Sequence, residues 1–184
     1  DLFSGFGNNR EARPFFSRRI GIAKDKDGNN IENKIIAGLR LSGKINNNLR
    51  IGLLNMQTSQ DIENEISAYN NSIITLQQKV FDRSNFNIFF INREATGENE
   101  YTEENDKFNR VIGFDYNLRS NDSKWDGKYY FHRSYSPEEN ENSNSYGIST
   151  SYESRNFGFR AAGLYIGEDY RSDLGYVRRN DIIK

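Results

Sequence analysis

Few residues in this chain of 184 have the chemistry for catalysis. It has no cysteine and a single histidine, His132, so a nucleophile activated by histidine could form at one place only. His132 falls on the strand face opposite Trp125 and Phe131, which predicts a water-exposed position on the polar side of a sheet. The sequence therefore predicts no catalytic residue and no cofactor.

Carboxylates are plentiful, and two of them suffice for a glycosidase site. The chain has 26 Asp and Glu residues, many of them in polar stretches such as residues 98–100 and 138–141. Solvated loop side chains are the simpler interpretation of these clusters. A surface hydrolase or carbohydrate-binding protein with its site in the external loops stays open as the alternative function.

Residues 25–30, Asp-Lys-Asp-Gly-Asn-Asn, resemble the start of a calcium-binding loop. The glycine comes fourth rather than sixth, and Ile36 stands at the twelfth position, where such a loop needs glutamate. A glycine–asparagine turn between two strands is the better interpretation. The sequence predicts no metal site.

Two pairs of arginines, Arg18-Arg19 and Arg178-Arg179, have two interpretations. In the first, they form a basic patch that binds phosphates of lipopolysaccharide, for which guanidinium offers bidentate geometry. In the second, which is favoured, they pair with carboxylates and have a structural role.

The composition excludes several classes of protein. The net charge is −1, which gives no reason to expect a nucleic-acid partner. Mean hydropathy is −0.88, yet 14% of the residues are aromatic, and disordered chains are poor in aromatics. The sequence contains no run of 18 or more apolar residues, so it predicts no transmembrane helix. Strands with one apolar and one polar face produce such a profile.

Alternation of apolar and polar residues is the dominant pattern. It is clearest between Lys34 and Ile45, where period two places two sets of side chains on opposite faces of a strand. Three asparagines at 46–48 tolerate turn geometry, and residues 49–58 return as a second strand. The apolar set is Ile35, Ala37, Leu39, Leu41, Gly43 and Ile45.

Three more hairpins follow the first. The predicted strand pairs are 72–81 with 86–93, 108–119 with 124–135, and 146–153 with 157–167, with candidate outer strands at 17–24 and 174–183. Tight turns near 47, 84, 122 and 155 alternate with longer polar connections at 25–33, 59–71, 94–107 and 137–145. Outer-membrane barrels alternate short turns and long loops in this way, and strands of about ten residues match a tilted bilayer crossing.

These patterns predict an all-β fold, an antiparallel transmembrane β-barrel of up-and-down hairpins. A closed barrel pairs every backbone amide without an exposed edge, as hydrocarbon requires. Residues 1–184 are interpreted as one segment, of about 8–10 strands, of a larger barrel, because the last residue is Lys184 rather than an aromatic. A predicted aromatic girdle at the membrane interfaces comprises Phe86, Trp125, Tyr129, Tyr152, Phe157 and Tyr165.

Motifs near both ends carry a resemblance to a known family. Residues 1–7 and 14–21 form one motif pair, residues 36–44 are similar to a long hairpin strand, and residues 173–181 resemble a recurring glycine–aromatic–Arg-Arg strand. Together they resemble a family of Bacteroidota outer-membrane β-barrel proteins with an N-terminal carbohydrate-binding family-nine-like domain. The motif residues, interpreted as structural, are Phe15, Phe16, Arg18, Arg19, Gly21, Gly175, Tyr176, Arg178 and Arg179.

The resemblance implies a location in the outer membrane of a Gram-negative bacterium. The function expected is that of a non-enzymatic channel, scaffold or subunit of an outer-membrane complex. The expected partners are outer-membrane lipid and lipopolysaccharide, together with other outer-membrane proteins. A soluble extracellular β-sheet protein that binds sugar through exposed Tyr and Trp is a further alternative.

Overall fold

The computed structural model describes residues 2–8, 10–25, 27–97, 102–138 and 141–184. Asp1 of the first motif, Lys26 of the calcium-like stretch and parts of two acidic loops, residues 98–100 and 139–140, lie outside the described residues. Within the described ranges, no helix is long and apolar enough to cross a membrane.

The described residues form short strands at both ends of the chain and eight long strands between them. The short strands are β1 (Ala12–Arg13), β2 (Ile22–Lys24), β3 (Asn30–Glu32), β12 (Tyr176–Val177) and β13 (Ile182–Ile183). The long strands are β4 (Ile35–Lys44), β5 (Leu49–Thr58), β6 (Ala68–Val80), β7 (Ser84–Thr96), β8 (Phe108–Arg119), β9 (Trp125–Tyr135), β10 (Asn144–Glu153) and β11 (Gly158–Ile166). Two 3₁₀-helices span Ser17–Arg19 and Glu104–Asp106.

The four predicted hairpins are confirmed. Strands β4 and β5, β6 and β7, β8 and β9, and β10 and β11 pair antiparallel across short turns. Strands β6 and β7 are longer than predicted, because their ladder continues through polar pairs such as Asn71 with Arg93 and Asn70 with Glu94. These polar residues hid the strand from a pattern based on hydrophobicity.

The two outer strand predictions are wrong in extent. Residues 17–24 were expected to form one strand, but Ser17–Arg19 is a 3₁₀-helix and only Ile22–Lys24 is extended. Residues 174–183 form two short strands, β12 and β13, rather than one. Gly21, at a φ of +88°, separates the helix from β2, and a left-handed residue of this kind ends regular structure.

The central sheet has nine strands in the order β13-β11-β10-β9-β8-β7-β6-β5-β4. All its ladders are antiparallel, as the sequence predicts. Within the described residues the sheet is open: β4 and β13 are its edges and do not pair with each other. The short turns lie at one end of the strands, called the turn end, and the longer connections lie at the other, called the loop end.

The two terminal segments cover one face of this sheet. Residues 2–20 and 166–177 contribute Phe6, Phe15, Tyr170 and Leu174 to the hydrophobic core, which they share with Ile73, Phe89, Ile91 and Val111 of the sheet. The segments meet through the β1–β12 pair, in which Ala12 is opposite Val177. The covered face is called the inner face, and the opposite one the outer face.

Candidate functional site

The outer face is apolar and uncovered. Leu41 of β4 is 60% exposed, Ile112 of β8 is 46% exposed and Ile148 of β10 is 60% exposed. Because side chains alternate, every second residue of each long strand contributes to this face. Nothing in the described part of the chain buries these side chains.

The apolar residues form a belt with a defined edge. On β8 the belt runs from Ile112 to Leu118, a length of about 20 Å at the usual rise per residue, and Arg110 is the next outer residue toward the loop end. On β6 and β7 the corresponding polar residues are Ser72 and Asn92, which face each other across the ladder. Apolar bands of transmembrane barrels are about 25 Å tall, so the belt has a comparable extent.

The edge of the belt crosses the strands obliquely. On β8 the belt begins at Ile112, but the residue opposite Ile112 on β9 is Arg133, and the residue opposite Arg133 on β10 is Asn144. From β9 onward the belt therefore begins one outer position nearer the turn end, at Phe131. Strands of membrane barrels are tilted, and a belt parallel to a membrane must cross tilted strands at such an angle.

The predicted girdle residues fall into two groups on the outer face. Trp125 and Tyr152 have ring centroids 5.0 Å apart at the turn end, and Phe157 lies 6.2 Å from Tyr152. The other three residues lie further along the strands: Phe86 packs on Phe114 at 5.8 Å, Tyr129 on Tyr116 at 6.0 Å, and Tyr165 on Tyr146 at 4.9 Å. Tyr129 lies within the belt, whereas Tyr165 is opposite Tyr146, at the loop-end edge of the belt. The girdle at the membrane interfaces stays a prediction.

The inner face is built for close approach of the N-terminal segment. A side chain at Gly52 would come within 2.9 Å of the Phe3 ring, and one at Gly113 would come within 2.6 Å of the Phe89 ring. Phe6 packs on Phe89 with ring centroids 4.4 Å apart. Gly52 thus leaves room for Phe3 of the segment, and Gly113 leaves room for Phe89 of β7, on which Phe6 packs.

A buried ionic cluster fastens the N-terminal segment to the sheet. Asp115 of β8 accepts a hydrogen bond from the backbone N–H of Gly7 at 2.7 Å and lies 3.3 Å from Lys128 Nζ. Its other oxygen lies 2.8 Å from His132 Nε2. Asp115 and His132 are fully buried, so the carboxylate is stabilised by these three partners instead of water.

The water-exposed position predicted for His132 is therefore wrong. The residue lies on the inner face, opposite Trp125 and Phe131 as the alternation predicts, but the N-terminal segment covers it. Its ring packs edge-on against Phe89 at 4.9 Å. The sequence pattern gives the face of a strand residue but carries no information about a distant segment that lies on that face.

A polar cavity of about 1030 Å³ lies on the inner side near the loop end. One wall contains Arg171, whose guanidinium contacts Asp173 at 2.7 Å and also contacts Asp106. Burial opposes the charge of Arg171, but the two carboxylates outweigh it and raise the pKa of the guanidinium. Arg93 lies 3.0 Å from the same Asp173. These carboxylates are engaged by arginine, which leaves them poorly suited to acid–base catalysis.

The structure brings the two terminal motifs together. Phe16 N donates to Leu174 O at 2.6 Å, and Arg19 Nε donates to Gly175 O at 3.1 Å. Any side chain at Gly175 would come within 2.2 Å of Arg13 O, which explains the glycine. Contact between the segments depends on main-chain atoms at this point.

The remaining motif residues lie around this contact. Phe15 is buried, whereas Tyr176 and the arginines Arg18 and Arg179 are exposed. Arg178 lies 3.8 Å from Glu11 and donates its backbone N–H to Glu11 O. A structural role for these residues stays a prediction.

The calcium-like stretch forms a turn between β2 and β3. Asp25 Oδ1 accepts hydrogen bonds from the backbone N–H groups of Asp27 and Asn29 at 3.0 and 2.8 Å. These hydrogen bonds, that of Asn29 foremost, lower the pKa of Asp25. Among the described residues, no group of three or more potential ligands could hold a metal ion.

Comparisons with protein-family models, curated proteins and solved structures found no match for this chain.

We expect the Asp115→Asn substitution to lower the free energy of unfolding by about 3 kcal/mol, because it removes the buried carboxylate that pairs with Lys128, His132 and the backbone of Gly7. Denaturant unfolding in detergent micelles, followed by Trp125 fluorescence, measures this change. Limited proteolysis should cut residues 2–13 faster in the variant.

Asp126→Asn is the matched control. Asp126 lies on the neighbouring strand β9, 3.7 Å from Arg119, but this pair is solvent-exposed and should contribute less than about 1 kcal/mol. Equal stability of the two variants would contradict the anchoring role of Asp115.

Proposed function

We propose that this chain is a segment of an integral outer-membrane β-barrel of a Gram-negative bacterium, with its outer face against lipid and a non-enzymatic role. The apolar belt carries this proposal. Exposed apolar side chains recur on seven of the eight long strands, and on β5 the outer Leu53 is half-buried. A continuous patch of this size on a soluble monomer is rare. Contact with lipid would remove the apolar side chains of the belt from water.

The strand ladders support the same assignment. Eight successive strands of 9 to 13 residues pair in one antiparallel meander, and strands of soluble proteins are usually about 5–6 residues long. The uncovered edges β4 and β13 would need further strands to close a barrel, which hydrocarbon requires of any spanning sheet. Closure with strands outside this chain is part of the proposal.

The covered inner face favours a scaffold over an open channel. Phe3, Phe6 and the buried Asp115 cluster occupy the space that a water-filled lumen would need along β5 to β9. Open porins line this space with solvated polar side chains. We therefore propose that this part of the wall supports a structural or complex-forming role.

Trp125 is the single tryptophan and serves as a built-in reporter of lipid contact. After reconstitution into bilayers, lipids brominated near the headgroup should quench its fluorescence more strongly than lipids brominated near the chain ends, because Trp125 lies at the turn-end rim of the belt. A control that combines Trp125→Phe with Phe16→Trp moves the reporter to the inner side and should lose most of the quenching. Quenching of Trp125 by aqueous acrylamide alone would contradict the proposal.

The filled interior is tested with two conservative substitutions in this cysteine-free chain. Ser145 and Ser149 both lie on the inner face of β10, but only Ser145 is fully buried. Ser149→Cys should react with a charged thiol reagent at least about ten times faster than Ser145→Cys, since opening of the packed region must precede reaction. Equal rates would indicate an open, hydrated lumen at this height.

A further inference from the structure

Two arginines lie on the outer face at the loop end, next to the apolar belt. Arg110 of β8 is opposite Tyr135 of β9, and Arg133 of β9 is opposite Ile112 of β8. The two arginines are therefore diagonal neighbours on the same face, with α-carbons about 7–8 Å apart by sheet geometry. They place two positive charges next to the loop-end edge of the apolar belt.

Each arginine is held beside an aromatic ring. The guanidinium carbon of Arg110 lies 4.4 Å from the ring centroid of Phe108, and that of Arg133 lies 5.4 Å from the ring centroid of Tyr135. Arg110 Nε also donates to Asn92 Oδ1 at 2.9 Å. These contacts orient the guanidinium groups and reduce the entropy lost when they bind a ligand.

The charge of this pair is incompletely neutralised. Arg110 lies 3.6 Å from Glu94 Oε1, a half-exposed carboxylate. Arg133 has no carboxylate within 4.0 Å among the residues that the structure describes. One positive charge therefore remains available for an anionic ligand.

The surroundings select an amphiphilic ligand. Phe90, Ile112 and Phe131 lie directly on the turn side of the arginines, at the start of the belt. A ligand that contacts both surfaces needs an anionic head and a hydrocarbon tail. Phosphate is the head that guanidinium pairs bind best, through parallel N–H···O contacts.

We propose that Arg110 and Arg133, with Phe108 and Tyr135, bind the phosphorylated headgroup of a membrane lipid whose acyl chains lie along the belt. This inference rests on the proposed membrane location. It assigns phosphate binding to residues different from the arginine pairs at 18–19 and 178–179, which lie in the terminal segments on the inner side. The site is at the loop end, where the outer leaflet would be.

Native mass spectrometry of the reconstituted chain, released from neutral lipid nanodiscs, tests the proposal with a bisphosphorylated lipid A as the probe. The double variant Arg110→Gln, Arg133→Gln should bind the probe at least about tenfold more weakly. The control double variant Arg50→Gln, Arg160→Gln removes the same charge from exposed inner-face positions and should bind within about twofold of the original chain.

Two further arms identify the source of the phosphate. Dephosphorylated lipid A should bind as weakly as the arginine variant does, and inorganic phosphate should not displace the phosphorylated lipid. Equal binding of the dephosphorylated lipid, displacement by inorganic phosphate, or unchanged affinity of the arginine variant would each overturn the proposal.

Trp125 quenching in the same nanodiscs separates this outcome from failure of the membrane assignment. Quenching by brominated lipid together with unchanged lipid A affinity in the variant would contradict the arginine site but not the membrane location. Absence of quenching would contradict the membrane location on which the site depends.

Discussion

Pairing of backbone amides in one continuous antiparallel ladder determines most of what this molecule is. A ladder fixes each side chain to one of two faces, because successive residues point in opposite directions. From β4 to β11 the register keeps Ile, Leu, Phe and Tyr on the outer face and Gly, Ser, Thr, Asn and charged residues, with a few apolar ones, on the inner face. A slip of one residue would exchange the two sets.

The two faces meet different environments, and the inner one is made by the chain itself. The terminal segments pack Phe3 against Gly52 and Phe6 against Phe89 of the sheet, and they bury Phe15, so the inner surface has a hydrophobic core. The carboxyl group of Asp115 has polar partners there, because Gly7, Lys128 and His132 surround it. Removal of the segments would leave this ionic cluster and the core unprotected at the same time.

The outer face has no such cover, and this asymmetry is the basis of the functional proposal. Apolar surface exposed to water costs about 25 cal/mol for each Å², so a belt across eight strands would promote aggregation in solution. Lipid would remove that cost. The oblique edge of the belt, from Ile112 on β8 to Phe131 on β9, has a simple explanation if the strands cross a bilayer at a tilt.

Much of this fold could be predicted from the sequence, because the information is local. The turns at Asn46–Asn48 and Ser120–Ser123 and the alternation on β4 and β8 are properties of neighbouring residues. The cover of the inner face could not be predicted, since it depends on contacts over long separations, such as Gly7 with Asp115. For the same reason the buried position of His132 could not be predicted. The full length of β6 and β7 could not be predicted from hydrophobic alternation, because polar pairs such as Asn71 with Arg93 continue the ladder there.

The most direct test uses spin labels on single cysteines in the reconstituted protein, at positions 112, 114 and 116 on the outer face of β8 and at the half-buried positions 149 and 151 on the inner face of β10. Collision with oxygen, which concentrates in lipid, should be high at 112, 114 and 116 and low at 149 and 151. Collision with a polar nickel complex should be low at the three outer positions. High nickel accessibility and low oxygen accessibility at 112, 114 and 116 would mean that water covers the belt, and would contradict the account.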